Sequence, residues 1–417
     1  MKKVLVINSG SSSIKYQLFD MSNKAVLAKG LLEKIGEPES RLTHQSCAEQ
    51  GNKAEITRSL PVANHRAGFQ VIGEVLNESG AVRDSAELFG IGHRVVHGGE
   101  AFQEPALIDE KVISTIRELI PLAPLHNPAN LTGIEVALQF APHVPQIAVF
   151  DTAFHQSVPP AAFRYALPGD LYQDHKVRRY GFHGTSHGYV AKQAARYLAR
   201  ALDSLNLITL HLGNGASVTA IAKGKSVDTS MGMTPLEGLI MGTRSGDIDP
   251  AIIFYLGRKP GFSPDEIEAL LNKRSGLKGI CGINDMREIA HLADRGDASA
   301  RLAIEMYCYR IKKYIGAYNA VLGHVDALVF TGGIGENAAD IRARACEGLS
   351  KMGIEVDQHK NNVQTTKIRE IQRNRSSVSI LVIPADEELE IAEQTVAKIQ
   401  SQKKVCRDSI AFYNPLK

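Results

Sequence analysis

Tryptophan is absent from this 417-residue sequence, and the aromatic fraction is only 6%. Glycine, by contrast, is plentiful at 36 residues. An aromatic-poor, glycine-rich chain suits an α/β enzyme with many tight strand-to-helix turns. Cysteine is scarce too. The five residues Cys47, Cys281, Cys308, Cys346 and Cys406 are odd in number, and no CxxC occurs. That argues against a disulfide framework or a structural zinc site and points to a reducing cytoplasm. Net charge is almost missing: Lys+Arg 48 against Asp+Glu 45 leaves +3. The small excess is dispersed, so no nucleic-acid partner is expected. No run approaches ~18 apolar residues, so no membrane span is expected. The apolar run behind the two N-terminal lysines stops after four residues, too short for a signal peptide. Missing G-X-Y and heptad repeats exclude collagen and coiled coil, and a hydrophobic fraction of 44% excludes disorder.

What is present is a chain long enough for two to three domains of ~150 residues each. It opens with a β-branched run at Val4–Ile7, a turn at Asn8-Ser9-Gly10, a strand IKYQLFD, a second turn and a third strand KAVLAKG. The order recurs later: LITLHL (207–212), a turn at Gly213-Asn214-Gly215, ASVTAIA, a turn at Gly224-Lys225, then SVDTS. Gly10 and Gly213 take equivalent places. The match over three strands predicts duplicated lobes, each opening with a β-meander. Elsewhere helices and strands alternate. Helices are expected at VISTIRELI, Ser186–Leu202, Ser299–Leu322 and from about Asp386. Strands are expected at 146–150, 326–330 and 379–383. Strands that end in Gly-rich loops before helices indicate a parallel or mixed sheet. The polar stretch 356–378 reads as a surface excursion, and 400–417 as a terminal tail.

Three polar, glycine-rich clusters suit phosphate: NSGSSS (8–13), HLGNGAS (211–217) and TGGIGEN (331–337). Glycine lets backbone N–H groups approach phosphate oxygens, and Ser and Asn add donors. Neither GxxxxGK[ST] nor an opening GxGxxG occurs, which disfavours a P-loop NTPase and a dinucleotide fold. A second group is rich in arginine and histidine: GHRVVHGGE (92–100), PLHNPAN (124–130), RRYGFHGTSH (178–187) and GTRSGDIDP (242–250). Arginine binds carboxylate and phosphate through paired donors and stays charged. Arg94 and Arg244 sit in Gly/His-rich segments rather than on amphipathic helix faces, which weakens the reading of either as merely solvated.

The pairs His93/His97 and His183/His187 have the i, i+4 spacing of a helical zinc site. HGTSH, however, lacks the Glu of HExxH, and its glycine does not favour a helix. HRVVH reads as a strand with both histidines on one face. Asp151 ends a strand, placed for acid–base or positioning work or as an N-cap. Glu387-Glu388 opens the last helix, where it either complements the macrodipole or contacts Mg²⁺.

Together these strings closely resemble the acetate kinases, carboxylate kinases of the sugar-kinase/Hsp70/actin superfamily. The resemblance runs from VINSGSSSIK through GHRVVHGGE, PLAPLHNPANLTGI, FDTAFH, RRYGFHGTSH, HLGNGAS, DTSMGMTPLEGLIMGTRSGDIDP and FTGGIGENA to IPADEELEIA. It implies an α/β fold of two duplicated actin-like (ribonuclease H-like) lobes with an active-site cleft between them, closing on substrate. The expected lobes are residues 1–150 plus 385–417, and 151–384 for nucleotide binding and dimerisation. The implied reaction is ATP + acetate ⇌ ADP + acetyl phosphate with Mg²⁺, for which Mn²⁺ substitutes. By carry-over, Asn8 and Glu387 hold the metal, and Lys15 lies near the nucleotide phosphates. His211, Leu212, Gly213, Asn214 and Gly215 contact ATP, as do Asp285, Met286 and Arg287. So do Gly333, Ile334, Gly335, Glu336 and Asn337. Arg94 holds the substrate carboxylate, Asp151 is the acid/base or positioning residue, His183 and Arg244 stabilise the transition state, and His126 contacts the phosphoryl group. Val96, Leu125, Phe182 and Pro235 resemble the pocket for the acetate methyl. Asp386 stands where many relatives have Asn, adding a negative charge beside the proposed metal residue.

The resemblance also implies a cytoplasmic homodimer. Propionate and butyrate kinases are the nearest alternatives. An actin/Hsp70-like nucleotide-binding scaffold and a zinc hydrolase come from other classes. A scaffold has no need of Arg94, His126, Asp151, His183 and Arg244.

Overall fold

A computed structural model describes residues 1–47 and 53–412; the side chains of residues 47, 53 and 404–412, including those of Cys47 and Cys406, lie outside that description. The chain divides into two compact units. Unit 1 is Met1–Ala153 with Asp386–Lys417, and unit 2 is Phe154–Ala385. The first boundary therefore falls after Ala153 rather than residue 150, and Asp151 belongs to unit 1. The backbone beyond Phe150 stays tied there. Asp151 N–H donates to the Val95 carbonyl at 3.0 Å, and Thr152 Oγ1 accepts from Gly98 N–H at 3.0 Å.

Unit 1 holds strands β1 (Lys3–Ser9), β2 (Ser13–Asp20), β3 (Ala25–Glu33), β4 (Ser40–Cys47), β5 (Lys53–Leu60), β6 (Leu88–Val95), β7 (Ala106–Leu107) and β8 (Gln146–Phe150). They form one sheet in the order β5-β4-β3-β2-β1-β6-β8-β7, with β1, β6 and β8 mutually parallel. The central strands read as continuous apolar runs because both faces are covered. Side chains alternate between those faces. Leu5 and Ile7 pack with Phe69, Ile72 and Val75 of the helix His65–Glu78. Val4 and Val6 pack with Ile391, Ala392 and Ile399 of the helix Glu387–Phe412.

That last helix explains why the C-terminal segment returns to unit 1. Gly90 and Gly92 in β6 leave room for it. A Cβ at Gly90 would lie 2.4 Å from Ile399 Cδ1, and one at Gly92 would lie 2.5 Å from Thr395 Oγ1. Residues 400–412 are not a loose tail, because the helix continues to Phe412.

Unit 2 holds β9 (Asn206–Leu212), β10 (Ala216–Ala222), β11 (Lys225–Thr229), β12 (Ala327–Thr331), β13 (Arg369–Glu370) and β14 (Ser379–Val382). Their order is β11-β10-β9-β12-β14-β13, with β9, β12 and β14 parallel. The run β11-β10-β9-β12-β14 repeats the connectivity of β3-β2-β1-β6-β8, so the duplication read from the meanders extends to five strands of each sheet. Both first hairpins close on glycine. Gly10 N–H donates to the Ser13 carbonyl at 2.8 Å, and Gly213 N–H to the Gly215 carbonyl at 3.0 Å.

The 25-residue helix Ala298–Leu322 starts at Asp297, whose carboxylate accepts from Ala300 N–H, and stops at Gly323 with φ 74°. The stretch 356–378 is more ordered than an excursion: it carries the helix Gln358–Asn362, the edge strand β13 and a bridge between Val356 and Gln372. Among the described residues no helix is long and apolar enough to cross a membrane.

The histidine pairs behave differently from their spacing. β6 ends at Val95, so His93 is in the strand and His97 is beyond it. His93 is 2% exposed, with Nε2 2.7 Å from Gln146 Oε1. Burial lowers its pKa to about 4, against the partial support of that hydrogen bond. The unfolded chain takes up this proton near pH ~6.5, whereas the folded chain resists until about 4. The contribution to stability is whole above pH ~6.5 and is lost as pH falls toward 4. In thermal melts, His93→Gln should lose less Tm between pH 7 and pH 5 than the wild type. Equal losses would show that His93 does not carry this linkage.

Candidate active site

In unit 1, three neighbouring parallel strands end side by side and deliver one polar group each. Asn8 lies near the end of β1, Arg94 near the end of β6, and Asp151 directly after β8. Arg94 Nη2 donates to Asp151 Oδ2 at 2.6 Å, and Nε to Oδ1 at 3.3 Å. Nη1 donates to Asn8 Oδ1 at 3.3 Å. Asp151 is 1% exposed. Burial works against the guanidinium charge, but the carboxylates of Asp151 and Glu387 outweigh it and raise the Arg94 pKa. Three of its roughly five N–H donors are committed by these bonds, which leaves donors on both Nη atoms for an incoming anion.

Two buried asparagines frame this set, and sequence reasoning missed them. Asn130 accepts from Val96 N–H at 3.0 Å and donates to the Ser9 carbonyl at 2.8 Å. Asn127 exchanges both bonds with the His97 backbone, at 3.2 and 3.0 Å. The helix Asn127–Phe140 thereby pins the backbone on both sides of Arg94. The i, i+3 asparagines in NPAN were the available signal. His126 immediately precedes that helix. Val96 is buried, while Leu125 is 55% exposed.

In unit 2, His183 precedes the helix Gly184–Tyr197 in the left-handed region, φ 56°. HGTSH does enter a helix, contrary to expectation: its glycine stands at the first position, where no preceding turn is disturbed. The ring of His183 stacks on His211 at 4.2 Å. Its Nδ1 is 2.9 Å from Ser217 Oγ, which is also 2.8 Å from His187 Nε2. His187 Nδ1 meets Thr209 Oγ1 at 2.7 Å. Burial pushes the pKa of His187 well down, and that of His155 to about 4. These two are neutral supports rather than cations. A Cβ on Gly215 would lie 3.4 Å from His183 Nε2 and 3.7 Å from Arg244 Nη1. The imidazole and the guanidinium thus converge on the backbone of this turn, both at ordinary van der Waals range from where a Cβ would stand. Arg244 Nη1 donates to the Pro235 carbonyl at 3.1 Å. Phe182 is buried, and its carbonyl meets His155 Nε2 at 2.9 Å.

Beside this convergence is a cavity of about 740 Å³, lined by Gly213, Asn214, Asp285, Met286, Arg287, Gly333, Ile334 and Asn337, among others. Its size and its mix of backbone, apolar and charged lining suit a nucleoside.

The model of the acetokinase family matches residues 3–393. The chain belongs to the acetokinase family. It is 56% identical to the acetate kinase of Syntrophobacter fumaroxidans over 95% of this chain and 97% of that one. Among solved structures, the acetate kinase of Porphyromonas gingivalis is 45% identical with TM-score 0.89, covering 95% and 99% of the two chains. A propionate kinase of Francisella tularensis is 44% identical with TM-score 0.89, covering 95% and 100%.

The nucleotide residues carried over from the acetokinase resemblance divide in two. The cavity is not lined by His211, Leu212, Gly215, Gly335 or Glu336. Leu212 ends β9 with its side chain in the core. His211 is occupied with His183 and with Ser186 Oγ at 2.8 Å. Glu336 turns inward, where one oxygen accepts from Gly332 N–H at 3.0 Å and Ala385 N–H at 2.9 Å. Gly332 itself admits no side chain, since φ is 77° and a Cβ would lie 2.8 Å from the Leu212 carbonyl oxygen. Asp285 caps the helix Met286–Asp294 and pairs with Arg287 at 2.6 Å; that hydrogen bond holds its pKa down at about 2.

The donor chemistry of Asn8 and Glu387 fits a hard divalent cation. Burial pushes the Glu387 pKa up to about 7. Arg94 and Lys15 oppose that rise, while Asp151 and Glu388 add to it. Lys15 is 2.5 Å from Glu388. The cluster thus holds more carboxylates than cations, a surplus that a metal ion would relieve. Asp386 is a helix cap here, accepting from Leu389 N–H at 3.0 Å. Among the described residues no three His, Cys, Asp or Glu side chains form a ready cage, so a cation held here would keep water or phosphate oxygens as ligands.

Glu336→Ala should leave two backbone donors without their acceptor, costing about 1–3 kcal/mol of stability and weakening ADP binding in calorimetry. Glu336→Gln keeps an acceptor oxygen and should retain most of both. Equal losses in the two variants would mean that the negative charge, not the tie, is what matters.

Proposed function

We propose that this chain transfers the γ-phosphoryl group of ATP reversibly to acetate, giving acetyl phosphate and ADP. The observation that carries the reading is Arg94. It is held rigid by Asp151 and Asn8 yet has donors left on both Nη atoms, which is a preorganised receptor for a carboxylate. Family membership at high identity to curated acetate kinases supports the same activity.

In the reaction, an acetate oxygen attacks the γ-phosphorus in line. The new C–O–P linkage forms as the bond to the β,γ-bridging oxygen breaks, and that electron pair leaves with ADP. No net proton moves, because acetate is already ionised at neutral pH. Asp151 therefore has no base to be; buried and committed to Arg94, it orients the guanidinium. Catalysis of this kind is positioning and charge neutralisation. Arg94 holds the acceptor. Arg244 and His183 face the charge that develops on the transferred group, and His126 contacts it. Lys15 lies near the phosphates. The cavity at Gly213, Asn214, Asp285–Arg287, Gly333, Ile334 and Asn337 takes the nucleoside. Asn8 and Glu387 would hold Mg²⁺, which would supply charge neutralisation on the phosphate oxygens.

Val96 would meet the acetate methyl, and its γ-methyl groups leave less room for a longer acyl chain. The propionate kinase similarity keeps propionate as the second reading, and Val96 favours acetate. We also infer that the chain works as a cytoplasmic homodimer. Its support is the large apolar side chains exposed on unit 2, Phe254 and Tyr255 on the helix Ala251–Gly257 and Leu302 and Tyr309 on the helix Ala298–Leu322.

Trapping acyl phosphate with hydroxylamine, in the presence of ATP and Mg²⁺, checks the reading directly. Arg94→Ala should cut kcat/KM for acetate at least ~100-fold, the scale of one lost preorganised donor. Near wild-type turnover in that variant would sink the assignment of Arg94. One methylene in such a pocket is worth ~1–3 kcal/mol, so propionate should react more slowly than acetate. Val96→Ala should narrow the difference. A wild-type preference for propionate would overturn the choice of acetate.

A further inference from the structure

Arg94 and Arg244 are held in opposite ways. Arg94 is locked by a carboxylate. Among the described residues Arg244 makes no ion pair; its side-chain partners are the Pro235 carbonyl at 3.1 Å and the Met241 sulfur at 3.7 Å. Burial lowers its pKa, with no acid to offset it. The place of the Arg244 guanidinium is thus set by its own loop and by the Pro235 carbonyl just before it, and what fixes the loop helps to fix the charge.

The loop runs from Gly238 to Asp247 and is closed at its neck. Gly238 N–H donates to Asp247 Oδ1 at 2.7 Å, and Asp247 N–H donates to the Gly238 carbonyl at 3.0 Å. Arg310, from the helix Ala298–Leu322, reaches both sides of the neck. Its Nη1 donates to the Gly238 carbonyl at 2.9 Å, and its Nη2 to the Asp247 carbonyl at 3.1 Å. Tyr314, one helical turn further on, donates to Asp247 Oδ2 at 2.8 Å. The neck is too tight for side chains on its inner wall. Gly238 and Gly246 have φ 107° and 66°, and a Cβ on Gly246 would lie 2.5 Å from the Gly238 carbonyl oxygen. Inside the loop, Met241 N–H donates to the Arg244 carbonyl at 3.1 Å, and Gly242 N–H donates to the Asn214 carbonyl at 3.0 Å.

We propose that Asp247 and Arg310 are positioning residues that close the Arg244 loop at its neck and thereby aim the Arg244 guanidinium at the transferred phosphoryl group. The proposal rests on the phosphoryl-transfer reading above. Neither residue needs to touch substrate. Their effect passes through Arg244, which makes it separable from plain loss of structure.

A double-mutant cycle tests this. In the wild-type background Arg310→Ala should lower kcat by about 10- to 100-fold, the scale of a misplaced reacting group. The KM for ATP and the Kd for ADP should change less than about threefold, because no residue of the loop lines the cavity, which the loop meets through the Gly242 bond to Asn214. In an Arg244→Ala background the same change should cost less than about twofold. Arg310→Lys, which keeps a donor for one carbonyl, should recover part of the loss. Asp247→Ala should behave like Arg310→Ala in both backgrounds, and Asp247→Asn, which keeps the acceptor for Gly238, should be milder. If Arg310→Ala abolishes ADP binding through misfolding, the Asp247 pair carries the cycle alone. Equal losses in the two backgrounds, or wild-type kcat in Arg310→Ala and Asp247→Ala, would overturn the proposal. A wild-type protein that yields no acyl phosphate overturns the phosphoryl-transfer reading and this proposal together. An active wild type with additive losses overturns this proposal alone.

Discussion

The structure turns on keeping a cation charged and aimed at the end of a parallel sheet. Arg94 is partly buried, and burial alone would penalise its charge. The bidentate pair with Asp151 reverses that balance, and Asn8 fixes the third side. Such a pair is costly to desolvate and repays the cost only with close geometry and further hydrogen bonds. Strand order supplies the geometry. β1, β6 and β8 are neighbours, so the three residues that emerge at their ends meet without any loop having to reach. The register places Arg94 opposite Val149 and Val95 opposite Phe150, which puts Asp151 one step beyond the sheet, against the guanidinium.

Unit 2 reuses the topology with different chemistry. Its first hairpin closes on glycine as the first hairpin of unit 1 does, but among the described residues no acid steadies Arg244. A loop closed on itself does that work for Arg244. Neutral histidines with shared hydroxyls hold the imidazole of His183. Ser217 Oγ serves two rings with one proton, so it donates to at most one of the two nitrogens and accepts from at least one. Burial holds the pKa values of His187 and His155 down. One topology thus presents a carboxylate-locked arginine in one unit and a cavity lined by glycine turns in the other.

Much of this was legible in the chain. Alternating apolar residues gave the strands, and Gly10 and Gly213 marked the two turns. Polar motifs at strand ends pointed to phosphate and carboxylate chemistry, and long strings carried the family resemblance. The misses share a cause. His97 was placed in a strand that ends at Val95, since periodicity does not register where pairing stops. Residues from 400 read as a tail because the glycines that receive that helix, Gly90 and Gly92, lie some 300 positions earlier in the chain. That the Glu336 carboxylate turns inward, to Gly332 and Ala385, was not legible within GIGEN, because a residue about 50 positions away decides it. Asn127, Asn130 and Arg310 were overlooked because the groups they hydrogen-bond are backbone atoms, which leave no mark on the sequence.

The sequence by itself determined the local elements, the duplicated meander, the glycines that backbone geometry demands and the identity of the charged groups. Each depends on side-chain pattern or on φ, properties that act over a few residues. Tertiary structure alone decided which charges are paired, which histidines stay neutral and which glycine-loop residues face a cavity. Those outcomes depend on desolvation and on distances between groups remote in the chain, and both come into being only when strands β1, β6 and β8, or β9, β12 and β14, lie side by side.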